Sequence, residues 1–239
     1  MRVLLTGAAG FVGRPALDLL ARDHHVTAFD IRPIDGVDSL VGDVRDFDAV
    51  RQAVEGHDAV VNTIMAPNEA YADGGPGFTV NSSGMFNLLE AARLAGVQRF
   101  VHTSSGAVHT GYPEGTRLTR DLYPLKAAGP YALSKLLQEE LARNFHEQHG
   151  LSIACLRPWG IIDAERMVTT DGTPVTGHYF GSIDRGDVAA ALVCALEASD
   201  IGFECFYLMA TDAGCRRTDT AHTEERIGWR PTHRFATDD

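Results

Sequence analysis

Short apolar runs alternate with longer amphipathic ones along the first two thirds of the chain. Val3-Leu4-Leu5, Val26-Thr27-Ala28-Phe29, Ala59-Val60-Val61, Phe100-Val101-His102 and Ile153-Ala154-Cys155-Leu156 read as β-strands, several of them apolar on both faces. Between them, helical periodicity covers Phe11 to Ala21, Asp46 to Val54, Thr79 to Ala95 and Pro130 to His149. In the third of these, Met85, Leu88, Leu89, Ala92 and Ala95 share one stripe, and Gly96 stands where a left-handed C-cap belongs. In the fourth, Leu133, Leu136, Leu137, Leu141 and Phe145 are expected to take the core side. Such alternation predicts βαβ units and an α/β fold, a doubly wound, mostly parallel sheet covered on both faces. After Pro158 the pattern loosens. Trp159 to Gly181 reads as loop with one short strand, Asp187 to Ala198 as a helix and Phe203 to Met209 as a strand. The last thirty residues contain no leucine or valine, so only Ile227, Trp229 and Phe235 are expected to dock them. The expected organisation is a single domain over residues 1–239, with 159–239 supplying a reduced substrate-binding portion and no independent second domain.

Composition narrows the function classes. The 239 residues carry a formal net charge of −11, which argues against binding to a phosphate backbone. Cys155, Cys194, Cys205 and Cys215 are widely spaced, with no CxxC pair and no histidines at zinc-ligand spacing, so neither a disulfide framework nor a metal is expected. The first apolar run is too short for a signal peptide, and no stretch reaches the roughly 18 apolar residues of a membrane span. These features predict a soluble, cytoplasmic protein. Lysine is scarce: Lys126 and Lys135 are the two in the chain.

Thr6-Gly7-Ala8-Ala9-Gly10-Phe11-Val12-Gly13 follows the first strand and opens the first helix. GxxGxxG at this place meets the demands of a dinucleotide: a tight turn, a backbone that a pyrophosphate can approach, and free N–H groups at a helix start. The second strand ends at Asp30, where a carboxylate can accept from the adenosine ribose hydroxyls and repel a 2′-phosphate. That favours NAD over NADP, although Arg32 is near enough to meet such a phosphate, and Asp30 has an alternative use in capping the next turn. Asp43 can bond the adenine amino group with Val44 packed on the ring; Asp46 reads as the N-cap of the helix that follows.

Tyr131 and Lys135 lie one turn apart on the fourth helix. A phenol is a poor base at neutral pH, and a neighbouring ammonium is expected to lower its pKa. A serine should hold the reacting oxygen. Ser105, at the carboxyl end of the fifth strand, is the better candidate; Ser104, on the other side of the pleat, reads as support for backbone or helix.

Together these residues resemble the extended short-chain dehydrogenase/reductase superfamily, the NAD-dependent epimerase/dehydratase group. The likeness is carried by the glycine loop, Asp30, Asp43-Val44, Asn81 within Val80-Asn81-Ser82-Ser83-Gly84, Ser104-Ser105, the Tyr131/Lys135 pair, Leu156-Arg157-Pro158, Ile183-Asp184-Arg185-Gly186-Asp187 and Gly228-Trp229-Arg230-Pro231. It implies a Rossmann-type fold and an NAD-dependent dehydrogenase or reductase acting on a small sugar, sugar acid or polyol. Tyr131 is the implied general acid/base, Lys135 the partner of the nicotinamide ribose and Ser105 the holder of the substrate oxygen. The implied cofactor contacts are Gly7, Ala9, Gly10, Phe11, Val12, Gly13, Asp30, Ile31, Arg32, Asp43 and Val44. They continue with Asn62, Thr63, Ile64, Asn81, Thr103, Pro158, Gly160 and Ile161. The resemblance further implies a homodimer through the helices Thr79–Ala95 and Pro130–His149.

Departures sharpen the reading. Thr103 is followed by Ser104-Ser105 where dehydratases of the group carry an acidic pair, which argues against dehydration. His109 stands where a tyrosine is frequent; it reads either as a solvated loop residue or as a group acting on substrate. Only 81 residues follow Pro158, few for a nucleotide pocket, and a small substrate as in the compact uronate dehydrogenases is the natural fit. Arg166, His178 and Arg185 are candidate anchors for a substrate carboxylate, or else surface and packing residues. An epimerase of the same family and a non-catalytic dinucleotide-sensing regulator are the competing functions.

Overall fold

The structure is a computed structural model describing residues 1–72, 75–177 and 180–236. In chain order its elements are β1 Arg2–Thr6, α1 Gly13–Leu20, β2 His25–Asp30, β3 Ser39–Val41, α2 Phe47–Val54, β4 Ala59–Asn62, α3 Gly77–Ala95, β5 Arg99–Thr103, α4 Pro130–His149, β6 Ser152–Pro158 and β7 Gly160–Asp163. They continue with β8 Val168–Thr169, β9 Ser182–Asp184, α5 Arg185–Glu197, β10 Phe203–Leu208, α6 Asp212–Arg217 and α7 Thr220–Ile227.

Seven strands form one sheet in the order β10-β6-β5-β4-β1-β2-β3, every pairing parallel. Buried on both faces, these strands need apolar residues at consecutive positions. Val3 and Leu5 face α1 and α5, whereas Leu4, Val60 and Phe100 face α2, α3 and α4. Each such fully buried side chain contributes about 1.5–3 kcal/mol relative to exposure. The strand order reverses between β1 and β4, and the crevice at the carboxyl ends there is where an open α/β sheet takes its ligand.

Local signals fix the helix ends. Asp46 caps α2, accepting from the amides of Asp48 and Ala49, and Gly96 closes α3 at φ 70°. Helix α1 begins at Gly13 and not at Phe11, so Phe11 and Val12 remain in the loop. The stripe of α3 is buried except at Ala95.

Helix α4 departs from expectation. Its buried face is Ala132, Ser134, Lys135, Gln138, Glu139, Ala142 and Phe145. Leu133 is 44% exposed, and Leu136, Leu137 and Leu141 are half-buried. The polar groups go inward because each finds a partner there, so hydrophobicity alone does not orient the helix.

Beyond Pro158, more is ordered than expected: β7, β8 and β9 form a second, three-stranded sheet. The C-terminal segment makes α6 and α7, with Ile227 and Trp229 buried and Phe235 packed against the core. Asp187 ties this tail down, accepting from the amides of Thr232 and His233, each at 2.9 Å, while Trp229 donates to the Asp187 carbonyl at 2.9 Å. Asp184, Asp187 and His233 cluster as a result, but the Asp184 carboxylate is already bound to the Gly186 and Ala164 amides. Among the described residues no helix is long and apolar enough to cross a membrane.

Candidate active site

Chain geometry forces glycine at the turn between β1 and α1. Gly7 has φ 75°, and a methyl group on it would lie 2.8 Å from the Ile64 amide nitrogen. At Gly13 the same addition would come within 2.0 Å of the Gly7 carbonyl oxygen, so the helix packs directly on the turn. Among the described residues nothing accepts from the Phe11 and Val12 amides, and both residues line a cleft of about 750 Å³. Unpaired donors at a helix start facing a cleft suit a pyrophosphate, and on that ground the residues present fit NAD.

Asp30 performs more than one task. One carboxylate oxygen accepts from the Ala9 amide at 3.0 Å and the other from the Arg32 amide at 3.0 Å, so it fastens the glycine loop and caps the next turn. The Arg32 guanidinium donates to the Ala9 carbonyl at 2.8 Å and stands 3.6 Å from Asp30. Ile31 is 69% exposed beside it. Asp43 is paired with Arg45 at 2.5 Å, which holds its carboxyl below the usual range; Val44 is buried beneath Gly84. Asn62 accepts from Thr6 at 2.9 Å and from the Ile64 amide at 3.0 Å, and Thr63 donates to the Thr6 carbonyl at 2.8 Å.

The cleft gathers Ala9, Gly10, Phe11, Val12 and Arg32 from the first two strand ends with Thr63, Thr103 and Ser105 from the middle of the sheet. Tyr131, Lys135, Pro158 and Ile161 complete it. Gly7, Gly13, Asp30, Ile31, Asp43, Val44, Asn62, Ile64, Asn81 and Gly160 do not line it; several of these hold the lining residues from behind.

Lys135 is buried, and its ammonium donates to the Thr103 carbonyl at 2.8 Å. Burial lowers its pKa to about 8, opposed by Glu139 and Cys155. Burial likewise raises the Tyr131 phenol, and the Ser105 hydroxyl bonded to it pulls the other way. The expected lowering by lysine is therefore reversed here: the ammonium is committed to Thr103, and desolvation sets the direction. Ser105 also accepts from the Ala107 amide at 3.1 Å, and Ser104 points to Glu139 at 2.6 Å, the supporting role expected of it.

Two contributors, Glu139 and Tyr71, carry no sequence signal of their own. Glu139, one turn beyond Lys135, forms a fully buried pair with Arg157 at 2.9 and 2.6 Å. Burial alone would raise its carboxyl, but Arg157 and Ser104 hold it low. Tyr71 packs edge-on to Tyr131 at 5.4 Å and accepts from Asn81 at 2.6 Å. Asn81 also donates to Ser134 at 2.9 Å, so it braces α4.

His109 is buried and bonded to the Tyr207 hydroxyl and, at 3.0 Å, to the Leu122 carbonyl. It is not a solvated loop residue: it is a clasp, and burial holds its pKa near 4, so it stays neutral. Arg166 is exposed, Arg185 is paired with Asp163 at 2.8 Å, and His178 lies outside the described residues.

A profile of the NAD dependent epimerase/dehydratase family matches residues 3–173. The chain belongs to that family. L-arabinose 1-dehydrogenase (NAD(P)(+)) of Haloferax volcanii is 33% identical over 252 residues, spanning 99% of this chain and 98% of its own length. Uronate dehydrogenase from Agrobacterium tumefaciens is 28% identical with a TM-score of 0.78, over 98% of this chain and 85% of that one. A short-chain dehydrogenase/reductase superfamily protein from the same organism, solved with bound NAD, gives a TM-score of 0.83 at 26% identity, over 97% and 92% of the two chains. The Rossmann-type fold, NAD dependence and enzymatic class expected from the sequence stand with this membership.

Proposed function

We propose that this enzyme moves hydride between NAD and a hydroxyl-bearing carbon of a small sugar, sugar acid or polyol. The observation that carries this is the convergence of Ser105, Tyr131 and Lys135 on the cleft that the glycine loop opens into. The named relatives act on monosaccharides or their acids, which supports the substrate range.

The overall change is alcohol plus NAD to carbonyl, NADH and a proton. When bound, NAD supplies the ring that takes up the hydride. Ser105 holds the substrate oxygen through its hydroxyl. Tyr131 takes the proton from that oxygen as the carbon–oxygen double bond forms, and returns it in the reverse direction. Lys135 holds the ribose hydroxyls and keeps a positive charge beside the phenolate. Phe11 and Val12 offer amides to the pyrophosphate, and Asp30 accepts from the adenosine ribose, which favours NAD over NADP. In this reading Ile161 belongs to the same cleft, Asp43 and Val44 meet the adenine beyond it, and Asn62 fastens Thr6 and Ile64 from behind.

Residues 159–239 act as a compact cap on a single domain, since β10 is part of the main sheet. In this reading the protein works in the cytoplasm and as a homodimer, the dimer being supported by Phe86 (46% exposed) and Leu94 (54% exposed) on α3 and by Leu133 on α4. Sedimentation should give about twice 25.8 kDa; a monomer refutes the dimer. A screen of aldoses, uronic acids and polyols with NAD, followed by nicotinamide absorbance, tests the activity. Sugar conversion without net NADH would point to an epimerase instead.

A further inference from the structure

Trp159 is held in place with unusual firmness for a residue that lines the cleft. A methyl group at Gly106 would fall 2.1 Å from its six-membered ring, and one at Gly181 would fall 2.6 Å from its Cβ, so the side chain lies directly on two glycine backbones. Phe180 meets it edge-on at 4.9 Å, and it packs on the Leu118, Tyr207 and Met209 cluster. The remaining side borders the cleft that also holds Ser105 and Tyr131. No described residue accepts from its indole N–H. Such a fixed aromatic wall with a free donor fits a ring that has an apolar C–H face and hydroxyls at its edge.

Charge around the same cleft limits what that ring can carry. Glu69 and Asp171 line it, and Thr169 and Thr173 hold the Asp171 carboxylate by hydrogen bonds at 2.5 and 3.2 Å. Two of the described cations that line it are held by protein partners. Arg185 is paired with Asp163 and lies 5.1 Å from the Phe11 ring, while Lys135 is bound to Thr103. Arg14 and Arg32 stand on the glycine-loop side, and Arg166 is exposed and does not line the cleft.

We infer that the substrate is a neutral monosaccharide whose C–H face lies against Trp159, and that this residue sets substrate affinity. The inference rests on the oxidoreductase reading above and narrows it: a uronate would bring a further negative charge to a cleft edged by Glu69 and Asp171. The test has two arms. In steady-state assays with NAD, neutral aldoses should exceed the uronates of matching configuration by at least about tenfold in kcat/KM. Trp159→Leu should raise the aldose KM about tenfold or more with kcat within about threefold, and Trp159→Phe should recover most of it.

The second arm does not depend on turnover. L-Arabinose is titrated into NAD-loaded Tyr131→Phe protein while tryptophan emission is followed. The chain has two tryptophans, and Trp229 is buried with its N–H given to Asp187. An emission change that vanishes when Trp159→Phe is added supports the wall. Preference for uronates, or an unchanged KM in a folded, NAD-binding Trp159→Leu protein, overturns the inference and leaves the oxidoreductase reading standing. No sugar-dependent or uronate-dependent NAD reduction at all overturns both.

Discussion

Removing the charge from Glu139 should cost this protein stability before it touches substrate binding. Glu139 and Arg157 are 1% and 0% exposed, joined by two hydrogen bonds, with Ser104 donating a third at 2.6 Å and Tyr207 stacked 5.4 Å from the guanidinium. Glu139→Gln keeps the shape but leaves a buried guanidinium with no counter-charge, a defect that costs about 3–5 kcal/mol. At an unfolding entropy of about 2.1 cal/mol/K per residue, 239 residues give about 0.5 kcal/mol/K, so the melting temperature should fall by about 6–10 °C. Replacing both partners, as in Glu139→Leu with Arg157→Met, removes the orphaned charge and should restore most of that loss. Arg157 holds the Glu139 pKa below its ordinary 4.5, so its stabilisation is complete above about pH 4.5 and is lost as pH falls through the folded value. Glu139→Gln should therefore flatten the acid limb of the stability curve. Calorimetry at several pH values reads all three effects. A single variant that melts within about 2 °C of the parent would refute the reasoning, since the pair would then be idle.

Lys135→Met should abolish turnover yet raise the melting temperature at pH 7. Burial lowers the lysine to about pH 8 from 10.5, so its penalty is complete below pH 8 and is relieved as pH rises toward 10.5. Calorimetry should show the parent gaining stability across that interval and the variant not doing so. Tyr131→Phe should reduce kcat by about 10²–10⁴ while calorimetric NAD affinity stays within about threefold. Because the phenol is raised by burial, kcat/KM for oxidation should climb with pH through neutrality; a flat profile would deny the phenol its role as base. Asp30→Ala should weaken NAD more than NADP, and equal losses would show that the carboxylate only fastens Ala9 and Arg32.

The central frame was legible in the sequence because it depends on local rules. Consecutive apolar residues mark strands buried on both faces, and the glycines of the first loop are demanded by backbone approach. The Tyr131/Lys135 spacing follows from the helical repeat. What failed was the inference from hydrophobicity to burial. Helix α4 turns Gln138 and Glu139 inward because Asn81, Ser104 and Arg157, distant in sequence, wait for them there. Leu133 goes outward, and Leu136, Leu137 and Leu141 are left half-buried at the rim. His109 misled for the same reason: its partners Leu122 and Tyr207 lie 13 and 98 residues away, and no local pattern announces them. The ordered tail was hidden in part, since its hydrogen bonds to Asp187 add to the docking of Ile227, Trp229 and Phe235 and no local pattern announces them.

One measurement bears most directly on the assignment: nicotinamide absorbance with NAD and a panel of monosaccharides, run on the parent chain and on Tyr131→Phe, each first shown by calorimetry to bind NAD. Sugar-dependent NADH formation by the parent, with its near-complete loss in Tyr131→Phe at unchanged NAD affinity, is the expected result. Equal rates from the two proteins would contradict the assignment of Tyr131. An NAD-binding parent chain that reduces no cofactor with any sugar, sugar acid or polyol would contradict the proposed oxidoreductase activity itself.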